Sequence, residues 1–185
     1  MTTRMRTLFR SSTVSVARLA VLGGLVATTS LLAAGQAGHD HAAPAKLVQI
    51  VRDATRKYID VNNAAPDYGP AFGCVSGPDH GAMGIHYING ALLDGNIDAE
   101  HPEALIYEPV GDQRRLVGVE YIVDAATWMS THSAPPMLEG QAFQFVGSPN
   151  RYGIPPFFEL HVWAWRNNPN GAFVDWNNKV SCEGQ

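Results

Sequence analysis

The chain has very few cysteines, with Cys74 and Cys182 being the only two among its 185 residues. It also has no CxxC pair, no HExxH motif and no GxSxG elbow. These absences exclude the sequence signatures of a thioredoxin-like redox site, a zincin metalloprotease and an α/β-hydrolase nucleophile. Any site in this chain is therefore assembled from side chains that lie far apart in the sequence.

Basic residues are scarce beyond the N-terminal segment. Of the 13 lysines and arginines, four lie in residues 1–37, where there is no acidic residue. The rest of the chain carries nine basic and 17 acidic side chains, a net charge of −8. Nucleic acids and anionic membrane surfaces attract basic patches, so this balance argues against both. We expect a metal ion or a small molecule as the partner.

Residues 1–37 have the pattern of a secretory signal peptide. Arginines provide its positive start, residues 19–34 are apolar, and residues 35–37 form the cleavage site. The apolar run is shorter than a usual membrane span, so we expect no stable span after cleavage. The sequence predicts a flexible mature N-terminus at 38–43, a single globular domain at 44–185, and a secreted or periplasmic location.

Export to an oxidising compartment favours a disulfide bond between the two cysteines. A Cys74–Cys182 bridge closes a loop of about 109 residues, for which chain entropy predicts about 4–5 kcal/mol of stabilisation. Such a bridge would fasten the C-terminus to the start of the sheet.

Periodicity predicts one helix followed by strands. Pro44 starts the helix, apolar residues recur at steps of three and four over about 18 residues, and Asn62 and Asn63 end it. Residues 104–108 and 115–123 are the best hairpin candidate. We therefore predict an α+β fold: one N-terminal helix packed on a curved, mainly antiparallel sheet or partial barrel of about five strands, in a single domain.

The C-terminal part of the chain contains a strand with two different faces. One face carries an acid, a histidine and two indoles: Glu159, His161, Trp163 and Trp165. The other face is small and aliphatic, which suits packing against a helix: Leu160, Val162 and Ala164. The polar face predicts a pocket wall or a hydrogen-bonded second core. Tyr121, Trp163 and Trp165 are the residues predicted to line a ligand pocket.

Residues 124–156 interrupt the strand pattern with prolines and glycines. One short strand is expected within them, around Phe143 and Phe145. An ordered loop of this length in a compact domain is often functional, such as a lid over a pocket. A weakly ordered surface excursion is the other interpretation.

Three polar residues lie at the centres of apolar strands: His86, Glu120 and His161. Glu120 needs a partner or a metal, because an unpaired buried charge costs several kcal/mol. If the strands are adjacent and in register, the three side chains converge from one face. Two imidazoles and a carboxylate can hold a divalent ion of zinc, copper, manganese or iron. Glu159 and His80 are further candidate ligands.

Two other interpretations of these residues remain open. In a structural or interaction protein, Glu120 would accept hydrogen bonds from His86 and His161, and the buried network would only stabilise the fold. In an acid–base enzyme, His161 would act with Glu120 or Glu159, and one pKa would have to lie near neutrality. The network would be buried and mutually satisfied, whereas the enzyme would expose these side chains at the floor of a pocket.

Four motifs follow one another along the chain: CVxxPxxGxMGxHYxN from Cys74, PExLxYEP from Pro102, LVGVEYxV from Leu116, and LHVWxWxxNPxGxFxDWN…VSC from Leu160. Together they resemble a family of small exported bacterial proteins of unassigned function. The resemblance implies export but no activity or cofactor. At the level of fold alone, a helix followed by long strands is similar to the NTF2-like cone, which implies an enclosed pocket.

Overall fold

The computed structural model describes residues 45–184. The predicted signal peptide at 1–37 and the predicted flexible segment at 38–43 lie outside these residues. The described residues form one domain that combines helices with an antiparallel sheet, which confirms the α+β class. None of the helices within 45–184 has the length and apolar character needed to cross a membrane.

The described part of the chain contains two α-helices, α1 (Lys46–Thr55) and α2 (Ala125–Thr131), and three 3₁₀ turns. Its strands are β1 (Gly69–Pro70), β2 (Val75–Gly77), β3 (Gly81–Ile88), β4 (Ala104–Val110), β5 (Gln113–Asp124), β6 (Met137–Leu138), β7 (Gln141–Ala142), β8 (Gln144–Val146) and β9 (Phe157–Val162).

Helix α1 is shorter than the periodicity predicts. After 10 residues it ends at Thr55, and the chain continues in two 3₁₀ turns, Arg56–Ile59 and Val61–Asn63. The Thr55 hydroxyl donates to the Val51 carbonyl at 2.6 Å, and the Asp60 side chain caps the second turn. Local side-chain bonds of this kind compete with a continuous helix. The apolar spacing persists through both turns, which explains the longer prediction.

Seven strands form one antiparallel sheet in the order β1-β3-β4-β5-β9-β8, with β2 also paired to β3. The predicted hairpin is confirmed as β4 and β5, in which Val110 lies opposite Gln113 across a two-residue turn. Strands β6 and β7 pair separately. Over the described residues the sheet is open, with β1 and β8 at its edges, and does not close into a barrel.

Helix α1 packs on one face of the sheet. Leu47, Val48 and Val51 of the helix share a buried core with apolar side chains of β4, β5 and β9. That core includes the aliphatic set for which the sequence predicts helix contact: Leu160, Val162 and Ala164. The sheet face that contacts the helix was therefore identified correctly.

The C-terminal segment contributes to a second, smaller core on the other face. Trp163 packs there with Ile106 and Val180. The predicted Cys74–Cys182 disulfide is present, with 5.6 Å between the two Cα atoms. Because Cys74 directly precedes β2, the bridge ties the end of the chain to the first strands of the sheet.

Residues 124–156 contain more structure than the single predicted strand. Asp124 ends β5 and caps α2 by accepting the Thr127 N–H at 2.7 Å. Strand β8 then pairs with β9 and extends the sheet. The last part of the segment brings Tyr152 and Ile154 next to Glu120. It therefore covers the face opposite α1, as a lid would.

Candidate metal centre

The strand order brings the three predicted ligands to one face of the sheet. Glu120 on β5 lies directly opposite His161 on β9. His86 lies on β3, separated from β5 by β4. The β4 residue opposite Glu120 is Ala104. Directly opposed residues share a face, and His86 lies opposite Ile106, two residues from Ala104 on β4, so the three predicted ligands lie on the same face.

The three side chains lie within metal-binding distance of one another. His86 Nε2 is 3.3 Å from Glu120 Oε2. The His86 and His161 rings are 5.8 Å apart between centroids and nearly perpendicular, at 89°. One ligand atom of each residue lies within 4.8 Å of the other two, and all three residues are buried. The predicted convergence of His86, Glu120 and His161 is therefore present.

The histidine nitrogens lack hydrogen-bond partners. Both ring nitrogens of His86 and both of His161 are buried without a hydrogen bond among residues 45–184. The approach of His86 to Glu120 is close but does not have hydrogen-bonding geometry. An unsatisfied buried polar atom costs about 1–3 kcal/mol, so such atoms are rare in folded proteins. Within residues 45–184, hydrogen bonds from the two imidazoles to Glu120 are therefore not formed.

Burial determines the charge of these groups. It lowers the pKa of His86 to about 3, with the neighbouring His161 adding to the effect and the Gly84 backbone opposing it. Burial also raises the pKa of Glu120 well above its ordinary value, and the adjacent Glu159 carboxyl raises it further. Burial therefore favours the neutral forms of both His86 and Glu120.

Glu159 belongs to a second group that shares His161. One ligand atom each of Glu159, His161 and Asp175 lies within 4.8 Å of the others. His161 Nδ1 is 3.6 Å from Asp175 Oδ1. The Oε2 atom of Glu159 is buried and makes no hydrogen bond to any described residue. Burial raises the pKa of Glu159, although His161 and Glu120 act in the opposite direction.

Asp175 was not predicted as a site residue. In the sequence it precedes Trp176, and its position indicates only a side-chain-capped turn. The structure instead places it beside His161, where the Gln144 amide donates to Asp175 Oδ1 at 2.6 Å. The segment after β9 folds back over the sheet, a long-range arrangement that no local pattern records.

His80 is not part of either group. It is exposed, and it lies in the turn between β2 and β3 with its ring 6.2 Å from that of Trp176. The turn between β2 and β3 holds His80 away from the buried face that carries His86, Glu120 and His161. The structure therefore does not bring His80 to these residues as a further ligand.

The three residues predicted to line a ligand pocket lie apart. Tyr121 is buried on the α1 side, where its hydroxyl donates to the Ala99 carbonyl at 2.6 Å. Trp163 lies in the second core. Trp165 packs on the α1 side, and its indole N–H donates to Thr55 Oγ1 at 3.0 Å. The predicted pocket of these three residues is therefore not formed.

The end of β9 explains the position of Trp165. The strand stops at Val162, and the N–H groups of Trp165 and Arg166 both donate to the Val117 carbonyl. The chain bends at this point, so the alternation of strand faces no longer applies. Two indoles that the sequence places on one face are therefore found on opposite sides of the sheet.

A small cavity adjoins His86 and Glu120. It has a volume of about 30 Å³. Its remaining walls are aromatic and aliphatic: Phe72, Ile88, Ile122, Tyr152, Ile154 and Phe157. About two water molecules fit in this volume, whereas pockets for organic ligands measure roughly 300–1,000 Å³. The cavity does not provide the large enclosed pocket implied by the NTF2-like likeness.

Glu103 is a buried acid that the sequence analysis did not single out. Its carboxylate accepts the Ile122 N–H at 3.1 Å, just beyond the point where β4 begins to pair with β5. Burial raises the pKa of Glu103 to about 7, and the charges of Asp94 and Asp98 contribute. Glu103 thus accepts a backbone N–H of β5 at the end of the β4–β5 pairing. It is not a member of either metal-binding group.

The donor set limits the chemistry of the centre. Imidazole nitrogens and a carboxylate oxygen suit zinc, copper, manganese and iron(II), whereas calcium and magnesium prefer sites made of oxygen alone. Strands of one sheet hold the ligands, so the donor atoms are positioned before an ion arrives. Comparison with protein-family models, curated proteins and solved structures finds no match for this chain.

Proposed function

We propose that this domain binds a divalent transition-metal ion through His86, Glu120 and His161. The observation that carries the proposal is the set of four buried ring nitrogens without hydrogen bonds within 45–184. Coordination would satisfy a lone pair on each imidazole and remove the cost of burying it unpaired. Zinc, iron(II), manganese and copper are the candidates that fit two imidazoles and one carboxylate.

The protonation states favour metal binding at neutral pH. His86 is already neutral because burial lowers its pKa to about 3, so no proton has to leave it. Burial raises the pKa of Glu120 and so favours the protonated carboxyl. A metal ion would replace that proton as the partner of the carboxylate. We therefore expect metal binding to release a proton and to weaken in acid.

The cavity beside His86 and Glu120 supports an ion with an open coordination position. Its volume of about 30 Å³ accommodates water and is too small for an organic ligand. The apolar lining would limit bulk-water access to the ion, which strengthens electrostatic interactions at the centre. A bound ion with one or two waters fits this space better than the organic-ligand alternative.

We further propose that the protein acts outside the cytoplasm, in the periplasm or after secretion. The Cys74–Cys182 disulfide supports this location, because such bonds persist in oxidising compartments. The resemblance to small exported bacterial proteins and the signal-peptide pattern support it independently. The excess of acidic side chains favours a cation as the partner over nucleic acid.

Elemental analysis of the protein purified without chelator or affinity tag tests the metal proposal. We expect at least one metal ion per chain in the wild type and at least one ion fewer in folded His86→Ala and His161→Ala variants. His80→Ala is the matched control, because His80 is exposed and outside both groups. Absence of metal after incubation with zinc, copper, manganese and iron(II) would refute the proposal.

A further inference from the structure

We infer that the centre holds two metal ions, the second bound by Glu159, His161 and Asp175, with His161 as the ligand common to both. This inference rests on the proposed function, since it extends the same centre. The two groups contain different carboxylates and share only His161. The five side chains therefore form two overlapping groups of three ligands around His161.

The centre contains more carboxyl groups than one divalent ion neutralises. Glu120, Glu159 and Asp175 supply three carboxyl groups. Among the described residues, no lysine or arginine lies within 4.0 Å of any of these carboxylate oxygens. Arg151, whose charge reaches Glu159, lies over the Trp176 ring at 5.0 Å from its centroid. If all three carboxyl groups ionise on metal binding, one divalent ion leaves a buried negative charge, whereas two ions balance the three carboxylates together with one deprotonated imidazole.

The shared imidazole has a free nitrogen for each position. Neither His161 nitrogen makes a hydrogen bond to a described residue, although the side chain is fully buried. Nδ1 lies 3.6 Å from Asp175 Oδ1, which assigns it to the second position and leaves Nε2 for the first. Binding of both ions would displace the ring proton to solvent, and the resulting imidazolate would bridge them.

Glu159 gives the second position its own buried donor. Glu159 and His161 are two residues apart on β9 and therefore share a face. Glu159 Oε2 is buried and makes no hydrogen bond among residues 45–184, so it is available to an ion. The Asp175 side chain is 23% exposed and gives this position a route to solvent. An ion can thus reach the second position without crossing the cavity that adjoins the first.

Zinc stoichiometry tests the inference. The wild type and three variants are loaded with excess Zn²⁺, freed of unbound ion by gel filtration, and analysed for zinc per chain. We expect two ions in the wild type and in Asp112→Asn, which replaces an exposed acid of the β4–β5 turn. We expect one ion in Asp175→Asn, which keeps the side-chain size, and one in His86→Ala.

The outcomes separate the second position from the first. One zinc in both the wild type and Asp175→Asn would overturn the second position while leaving the proposed function intact. Weaker binding of that single ion in Asp175→Asn would assign Asp175 to orienting His161, which also overturns it. No zinc in the wild type would refute both proposals.

A measurement on the unmodified protein keeps the inference testable if a variant does not fold. The wild type is titrated with Co²⁺ and followed by electron paramagnetic resonance. Two ions that share one imidazolate should couple magnetically, so the signal should rise during the first equivalent and fall during the second. A signal that rises to one equivalent and then stays constant would overturn the inference.

Discussion

Replacing Glu120 by glutamine should have little effect on the unfolding free energy of the metal-free protein and a large effect on that of the metal-bound protein. Glutamine keeps the shape and one oxygen of the side chain but cannot ionise. In the metal-free protein burial and Glu159 raise the pKa of Glu120 and favour its neutral form. The approach of His86 at 3.3 Å is then a contact between two neutral groups. We expect the metal-free variant to lose no more than about 1 kcal/mol of unfolding free energy.

With zinc bound, the wild type and the Glu120→Gln variant should differ much more in unfolding free energy. Zinc at a hundred times its dissociation constant stabilises the wild type by about 2.7 kcal/mol. Removing a metal ligand should weaken zinc binding at least as much as removing a residue that hydrogen-bonds to a ligand, which lowers metal affinity by up to about 100-fold. At the same zinc concentration the variant would then gain only about 0.4 kcal/mol.

Urea unfolding near neutral pH, with chelator and with zinc, measures these quantities. The control is Glu139→Gln, since Glu139 forms a surface ion pair with Lys46 and should show the wild-type gain with zinc. If the metal-free Glu120→Gln variant lost about 3–5 kcal/mol, Glu120 would be half of a buried ion pair, and the assignment of neutral groups would be refuted. Equal stabilisation of wild type and variant by zinc would refute the role of Glu120 as a ligand.

Three further predictions concern the scaffold. Replacing Cys74 and Cys182 by serine should lower the unfolding free energy by about 4–5 kcal/mol in urea titrations; a loss below about 1 kcal/mol would contradict the entropic argument. Gly84→Ala should lower the unfolding free energy by roughly 1–3 kcal/mol and weaken zinc binding. The reason is that Gly84 has φ +103°, and an added Cβ would lie 2.7 Å from the Tyr107 carbonyl oxygen. A variant with wild-type zinc affinity would contradict this prediction. Glu103 should contribute a loss of up to about 3 kcal/mol in unfolding free energy as pH rises from 4.5 through 7, because folded Glu103 retains a proton that the unfolded chain has released. The wild-type profile should therefore fall relative to that of Glu103→Gln by this amount over the same range. Urea unfolding across that range checks the last point, and parallel pH profiles would contradict it.

Much of the fold followed from local pattern and composition. The apolar periodicity identified α1 and the face of β9 that packs on it. Two cysteines in a chain with a signal-peptide pattern predicted the Cys74–Cys182 bridge. The mostly apolar run in residues 116–123 marked Glu120 as a buried acid, because its neighbours on both sides are apolar. These properties depend on residues close in sequence or on a simple count, so they can be derived without coordinates.

The candidate site was predicted only in part. His86, Glu120 and His161 were named because each is polar within an apolar strand, but their convergence required β3, β4, β5 and β9 to be neighbours in register. Asp175 was missed, since it reaches His161 from a segment that follows the strand. Trp165 was assigned to the wrong face because β9 ends at Val162, where hydrogen bonds to the Val117 carbonyl bend the chain.

The sequence by itself determined the chemical types available to this protein: two strand-centre histidines, their acidic neighbours, one cysteine pair and a strongly acidic balance. Tertiary structure alone decided which of these groups meet. Pairing of β5 with β9 sets Glu120 opposite His161, and the register of β3 and β5 on β4 places His86 on the same face. It also decided that the four imidazole nitrogens remain without hydrogen bonds within the described residues. The physical reason is that side-chain alternation records the face of a strand, while strand order and register depend on the packing of the whole domain.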